Sequence, residues 1–269
     1  MGLSPYELYK EPLDAAEVLL LQRVEGLVAL GLDTISILFD DMRGDVQGLA
    51  ASQARLVNAV HREFSPAIKV AMCPSYYTTD PVLDRVFGDR PVGYVEDLGR
   101  LLHSEVAVYW TGPKVCSPHY SASHLEEVSI LLRRKPLIWD NYPVNDGPKM
   151  CKHLHLAPFS GRTELPVGAA GVMINPMNQG WLSLLPISSV NGALREQGEA
   201  HWKSLFPSPL QALLARDMTR FGTGLDSISV SAVESLLVDY GKHRHPAAGE
   251  VISWLRGETI VGPECLTNE

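Results

Sequence analysis

"TISILFDD", residues 34–41, is a short β-favouring run that ends in two adjacent carboxylates. A run of this length bounded by polar residues reads as a buried strand, and a strand buried on both faces belongs in a parallel sheet. Four further runs share the form: "IKVAMCPSYY" (68–77), "VAVYWTGP" (106–113), "PLIWDNYP" (136–143) and "GVMINPM" (171–177). Each closes on polar, Pro or Gly residues at its C-terminal side. Helical patterns fill the intervals, among them "ASQARLVNAVHREF" (51–64) and "SASHLEEVSILLRR" (121–134), where Ser121 or Ser123 can cap the start. Strand and helix patterns therefore alternate in the rhythm of a repeating β/α unit.

A doubly wound sheet would usually carry a Gly-rich phosphate turn after an early strand, and none occurs here. The expected fold is α/β, of the (β/α)₈ barrel kind, as an incomplete barrel with about five parallel strands plus C-terminal helices. Residues 1–195 are assigned to the partial barrel and 196–269 to a mostly helical region. Barrel sites are built from the C-terminal ends of the strands. This chain puts Asp40, Asp41, Tyr77, Trp110, Trp139, Asn141 and Asn175 there.

The Asp40–Asp41 pair raises a chemical question. Like charges side by side cost free energy when shielded from water, and the first ionisation makes the second harder, so the two apparent pKa values separate. One carboxyl can then hold a proton near neutrality while its neighbour stays ionised, which is what acid catalysis needs. The plain reading is that the pair caps a helix or opens a turn. Successive strand side chains face opposite sides. Both carboxylates can serve one ligand only if the backbone turns just after Phe39, a loop that Gly44 would help.

The totals narrow the classes. With 269 residues, 45% hydrophobic and 20% charged, the chain can bury a sizeable core. A net charge of -8 argues against nucleic acid as a partner. The basic cluster Arg133, Arg134 and Lys135 reads as a solvated helix end. The apolar stretch "EVLLLQRVEGLVALGL" (17–32) is interrupted by Gln22, Arg23 and Glu25, so no membrane partner is expected. The opening "MGLSPYELYKEP" lacks the charged and apolar regions of a secretory signal, which predicts a cytoplasmic location. Cys73, Cys116, Cys151 and Cys265 are widely spaced and read as free, mostly buried thiols. His153 and His155 form an H-x-H pair, but no nearby Asp, Glu or Cys completes a ligand set, so neither metal nor cofactor is expected.

Read in order, "LFDDM" (38–42), "CPSYY" (73–77), "YWTGPKV" (109–115), "WDNYPVND" (139–146) and "INPMNQ" (174–179) resemble the strand ends of glycoside hydrolase family 84. That family comprises O-GlcNAcases and bacterial β-N-acetylglucosaminidases often labelled hyaluronidases. The resemblance runs from about Gly2 to about Val190. It implies removal of terminal N-acetylglucosamine from a glycoprotein or glycan by substrate-assisted retention, in which the 2-acetamido oxygen attacks the anomeric carbon to give an oxazoline. It further implies that Asp40 holds and polarises the acetamido N–H and that Asp41 is the general acid/base. Tyr77 would hydrogen-bond the acetamido oxygen, Trp139 would line its pocket and Asn141 would lie beside the carboxylates. Asp146 and Asn175 would hold the sugar's outer hydroxyls.

The resemblance also has gaps. The family barrel has eight strands, and the motifs here begin with the fourth, so the expectation is that three strands and a sugar-gripping lysine are missing. A partner or an N-terminal segment could complete the barrel. The alternative to an active glycosidase is a catalytically impaired relative that binds glycans or acts as an interaction module. Gly147 stands where many relatives carry an aromatic residue.

Overall fold

The computed structural model describes residues 1–6, 8–195 and 205–260. Six strands lie in one sheet in chain order: β1 (Gly2–Leu3), β2 (Thr34–Leu38), β3 (Lys69–Cys73), β4 (Ala107–Trp110), β5 (Leu137–Asp140) and β6 (Gly171–Ile174). The strands are parallel, and β2 to β6 are the five runs identified in the sequence. The sixth, β1, pairs Gly2 with Ser36 and Leu3 with Ile37. This is the strand order of a (β/α) barrel with fewer than eight strands among the described residues.

Helices follow the strands: α1 (Leu13–Val28), α2 (Leu49–Phe64), α3 (Val82–Phe87), α4 (Tyr94–Leu101), α5 (Ala122–Leu132), α6 (Gly147–Met150) and α7 (Leu165–Gly168). After β6 come α8 (Gly180–Ser188), α9 (Val190–Arg195), α10 (Ser208–Thr223), α11 (Val230–Gly241) and α12 (Pro246–Leu255). None of the described helices is long and apolar enough to cross a membrane. The chain divides into two compact units, one formed by residues 1–115, 121–139 and 167–172, the other by 116–120, 140–166 and 173–269.

In the first unit the period of two on β2 sends Ile35, Ile37 and Phe39 into dry packing, while Ser36 points the other way and shares a 2.9 Å hydrogen bond with the Tyr109 hydroxyl. Helix α2 buries Leu49, Gln53, Leu56, Val57 and Val60, a stripe at helical spacing. It ends where Ser65 goes extended ahead of Pro66, which disfavours a helical residue before it. Of the two candidate caps for α5, Ser121 is the one used: its Oγ accepts the His124 N–H at 3.3 Å.

The basic cluster departs from its expectation at one position. Arg133 and Lys135 are exposed, but Arg134 is half-buried and donates to the carbonyls of Gly99, Leu102, His103 and Val106. A guanidinium has five donors in a fixed fork, enough to satisfy the loose carbonyls where α4 ends.

The second unit has its own core, in which Leu154, Leu182, Leu210, Leu214, Phe221, Tyr240 and Trp254 cluster. Asp217 on α10 is fully buried, accepting from Arg216 and from the Tyr240 hydroxyl. Cys73 and Cys151 are buried free thiols, Cys116 is partly exposed, and Cys265 lies outside the described residues.

Candidate active site

The site residues in the first unit begin at the end of β2. Phe39 still follows the sheet, donating its N–H to the Cys73 carbonyl at 2.9 Å. The chain then turns at Asp40 and Asp41, and Asp41 has a φ of 56°, in the left-handed region. Asp is among the few side chains that tolerate this conformation. The backbone turn just after Phe39, the condition for both carboxylates to serve one ligand, is therefore present.

Gly44 serves the loop through space rather than through its backbone angle. A Cβ there would lie 2.5 Å from Tyr76 Cε2. The ring is fixed, because the Tyr76 hydroxyl donates to the Gly88 carbonyl at 2.6 Å and the Arg90 guanidinium lies over its face. The Gly44 N–H in turn donates to the Phe87 carbonyl at 2.9 Å. The loop after the carboxylates is thus fastened to the end of α3.

Burial differentiates the pair. Asp41 is exposed, whereas Asp40 is half-buried, and burial, reinforced by the charge of Asp41, pushes its carboxyl up to about 6. Below them, Cys73 is completely enclosed. Burial and then the charges of Asp40 and Asp41 push its thiol well up, so it stays protonated.

Tyr77 is buried beyond the end of β3, and its carbonyl accepts the Thr111 N–H at 2.9 Å, which ties it to the end of β4. Trp139 on β5 is partly exposed and meets the Tyr109 ring edge to face, with centroids 5.4 Å apart. Ser36, Tyr109 and Trp139 therefore make one connected face across β2, β4 and β5. Trp110 is not on it. Its indole N–H donates to His124 on α5 at 3.1 Å, because adjacent residues of a strand point opposite ways.

In the second unit, Asn141 and Asn175 meet directly: Asn175 Nδ2 donates to Asn141 Oδ1 at 3.0 Å, and the Asn175 N–H donates to the Asp140 carbonyl at 3.0 Å. Asp146 stands at the N-cap position of α6 without capping it through its side chain. The next residue, Gly147, has a φ of 77°, a conformation that an aromatic residue would adopt only under strain.

Three residues that the sequence did not single out hold this half in place. Asn145 is fully buried; its Nδ2 donates to the His153 carbonyl at 3.0 Å and to Gln179 Oε1 at 2.7 Å, and its Oδ1 accepts the Asn178 N–H at 2.9 Å. One amide thus ties the loop bearing Asn141 and Asp146 to the loop bearing Asn175. Asp140, one residue before Asn141, is gripped by Arg162. The motif "WDNYPVND" contained Asp140 and Asn145, but nothing in its spacing pointed to their distant partners.

Asn141, Tyr142, His155 and Arg162 line a cavity of about 420 Å³. His153 and His155 do stack on one side of their segment, with centroids 5.9 Å apart and nearly parallel rings. Burial, then the neighbouring His153, lowers His155 to about 4, so its imidazole is neutral at ordinary pH.

Comparison with known proteins adds the relationship. Residues 3–218 match the β-N-acetylglucosaminidase family. The protein O-GlcNAcases of Mus musculus and Rattus norvegicus are each 30% identical over 164 residues, which is 58% of this chain and 17% of the relative. A mutant of the Thermobaculum terrenum O-GlcNAc hydrolase superposes with a TM-score of 0.73 at 24% identity, over 95% of this chain and 64% of that one. At that identity the likeness shows the fold. The chain spans only 17% of the length of the rodent relatives.

Proposed function

Because this chain belongs to the β-N-acetylglucosaminidase family, we propose that it is a glycoside hydrolase that removes terminal N-acetylglucosamine, of the O-GlcNAc or glycan type, with retention and through an oxazoline. The observation that carries the reading is the turn at Asp40 and Asp41, with its half-buried and its exposed carboxylate. A pair so differentiated suits a reaction in which one group handles the nucleophile and the other the leaving group.

In this reading Asp40 accepts the acetamido N–H and orients the carbonyl oxygen toward the anomeric carbon, with Tyr77 and Trp139 at the acetamido group. Asp41 protonates the leaving oxygen and later takes the proton of the attacking water. In the free chain it is Asp40 whose carboxyl is raised toward neutrality. Accepting the substrate's N–H favours ionised Asp40, which is the state its part in the reaction needs. Asn141, Asp146 and Asn175 keep the roles the family resemblance implies. A cytoplasmic location belongs to the same proposal.

The test is hydrolysis of a chromogenic β-N-acetylglucosaminide and of analogues whose N-acyl group is increasingly electron-withdrawing. Rates should fall progressively, because the carbonyl oxygen becomes a poorer nucleophile. Rates insensitive to that substitution would point to an enzyme carboxylate as the nucleophile.

The sheet of six strands among the described residues, rather than eight, favours one second reading: a glycan-binding relative with little turnover, whose barrel a partner or further segment completes. Glycan binding without hydrolysis by this chain, with turnover restored by an added segment, would support it.

A further inference from the structure

Among the described residues, the three metal-ligating side chains that converge most closely are His61, His103 and Glu105, whose ligand atoms all lie within 4.8 Å of one another. None belongs to the candidate active site. His61 is on the last turn of α2; His103 and Glu105 are in the segment that leads into the N-terminal end of β4, whereas the candidate catalytic residues follow C-terminal strand ends. We propose that His61, His103 and Glu105 form a binding site for a borderline divalent cation, zinc in the first place, that braces α2 against the segment between α4 and β4.

The ligand chemistry suits zinc. Two imidazoles and one carboxylate are ligand types that zinc takes, and with three protein ligands a fourth position stays open for water. His61 Nε2 and Glu105 Oε2 share a 3.1 Å hydrogen bond, a separation close to the edge of roughly 3.3 Å in a tetrahedral zinc shell, so an ion would take the place of the proton between them. The His61 and His103 rings stack with centroids 4.0 Å apart, so His103 has to swing off the His61 face to turn a ring nitrogen to a shared ion. His103 Nδ1 accepts the Glu105 N–H over a long 3.4 Å, a contact that is cheap to lose.

The backbone under the site is already fixed, which lowers the entropy cost of binding. Asn58, one turn before His61 on α2, accepts the His103 N–H at 2.9 Å and donates to the Leu101 carbonyl at 2.8 Å. Arg134 holds the His103 and Val106 carbonyls at 2.7 Å from the other side. The segment carrying two ligands is thus pinned to the helix carrying the third. His103 and Glu105 are exposed, so an ion can enter from bulk water.

The experiment is calorimetric titration of the chelator-dialysed full chain with zinc chloride, with thermal unfolding alongside. One zinc should bind per chain with a dissociation constant in the micromolar range, and saturation should raise the midpoint by about 5 °C. Magnesium should produce neither effect. The exposed substitutions His103→Gln and Glu105→Gln should each weaken zinc at least tenfold, while His153→Gln should leave it unchanged. Absence of zinc binding would overturn the proposal, as would affinity that survives the His103→Gln/Glu105→Gln double variant or moves with His153→Gln. Hydrolase activity plays no part in these readouts, so the outcome is independent of the proposed function.

Discussion

Arg162 grips Asp140 with two nearly parallel hydrogen bonds, Nη2 to Oδ1 at 2.8 Å and Nε to Oδ2 at 2.9 Å, with both residues almost dry. Its remaining donors go to the carbonyls of Ser117, Pro118 and Ser160. Burial pushes the Asp140 carboxyl up and the guanidinium opposes the rise, so the pair stands or falls together. It anchors the residue immediately before Asn141.

Arg162→Met should therefore destabilise the protein by about 3–5 kcal/mol, because it leaves a buried charge uncompensated. Adding Asp140→Leu should recover much of that loss in urea denaturation. A double variant as unstable as the single one would show that the cost lies in packing and not in charge.

Stability should fall as pH rises through the range in which Asp40 titrates. Its folded pKa of about 6 lies above the ordinary 3.8, so the native state binds the proton more tightly than the unfolded chain, and stability is lost between about pH 4 and 6. Asp40→Asn should abolish this slope and gain up to about 3 kcal/mol at pH 7. Parallel pH–stability curves for the two proteins would remove Asp40 as the source.

Asp41→Asn should discriminate between leaving groups. A general acid contributes about 10²–10⁴-fold to substrates that need protonation and little to very acidic phenols. The kcat/KM for a poor leaving group should drop by at least about a hundredfold and that for an acidic aryl glycoside by less than about tenfold. Equal losses would take Asp41 out of the acid role.

Gly44→Ala should cost about 1–3 kcal/mol, since the new methyl group collides with a ring that cannot retreat. Turnover should fall with it as the carboxylate loop shifts. Combining it with Tyr76→Leu should relieve part of the loss relative to Tyr76→Leu alone; strict additivity of the two effects in thermal unfolding would reject the steric account.

The parts legible in the sequence were those written in local chemistry. The runs at 34–41, 68–77, 106–113, 136–143 and 171–177 announced strands because short β-favouring segments bounded by polar, Pro or Gly residues suit a parallel sheet, although Met173 on the last of them is exposed. The alternation of strand side chains made a turn after Phe39 the condition for a shared site, and the left-handed backbone at Asp41 could only be added by the structure. Strand β1 was not legible, because two residues paired through backbone atoms leave no periodic trace. Arg134 was misread as solvated, and Asn145 and Arg162 were missed, for a related reason. Their partners are carbonyls, amides and one carboxylate distant in the chain, and no spacing rule encodes those meetings.

The left-handed backbone at Asp41 places a second filter on that position. Glutamate would keep the charge but lose the short side chain that eases a positive φ, so the chemically conservative exchange is the conformationally awkward one. Asparagine and glycine would pass the conformational filter but could not hold or release a carboxyl proton. Either residue would leave the loop's conformation intact while removing the carboxyl. Under the proposed role for Asp41, an aspartate at this position answers two demands at once, one of shape and one of proton transfer.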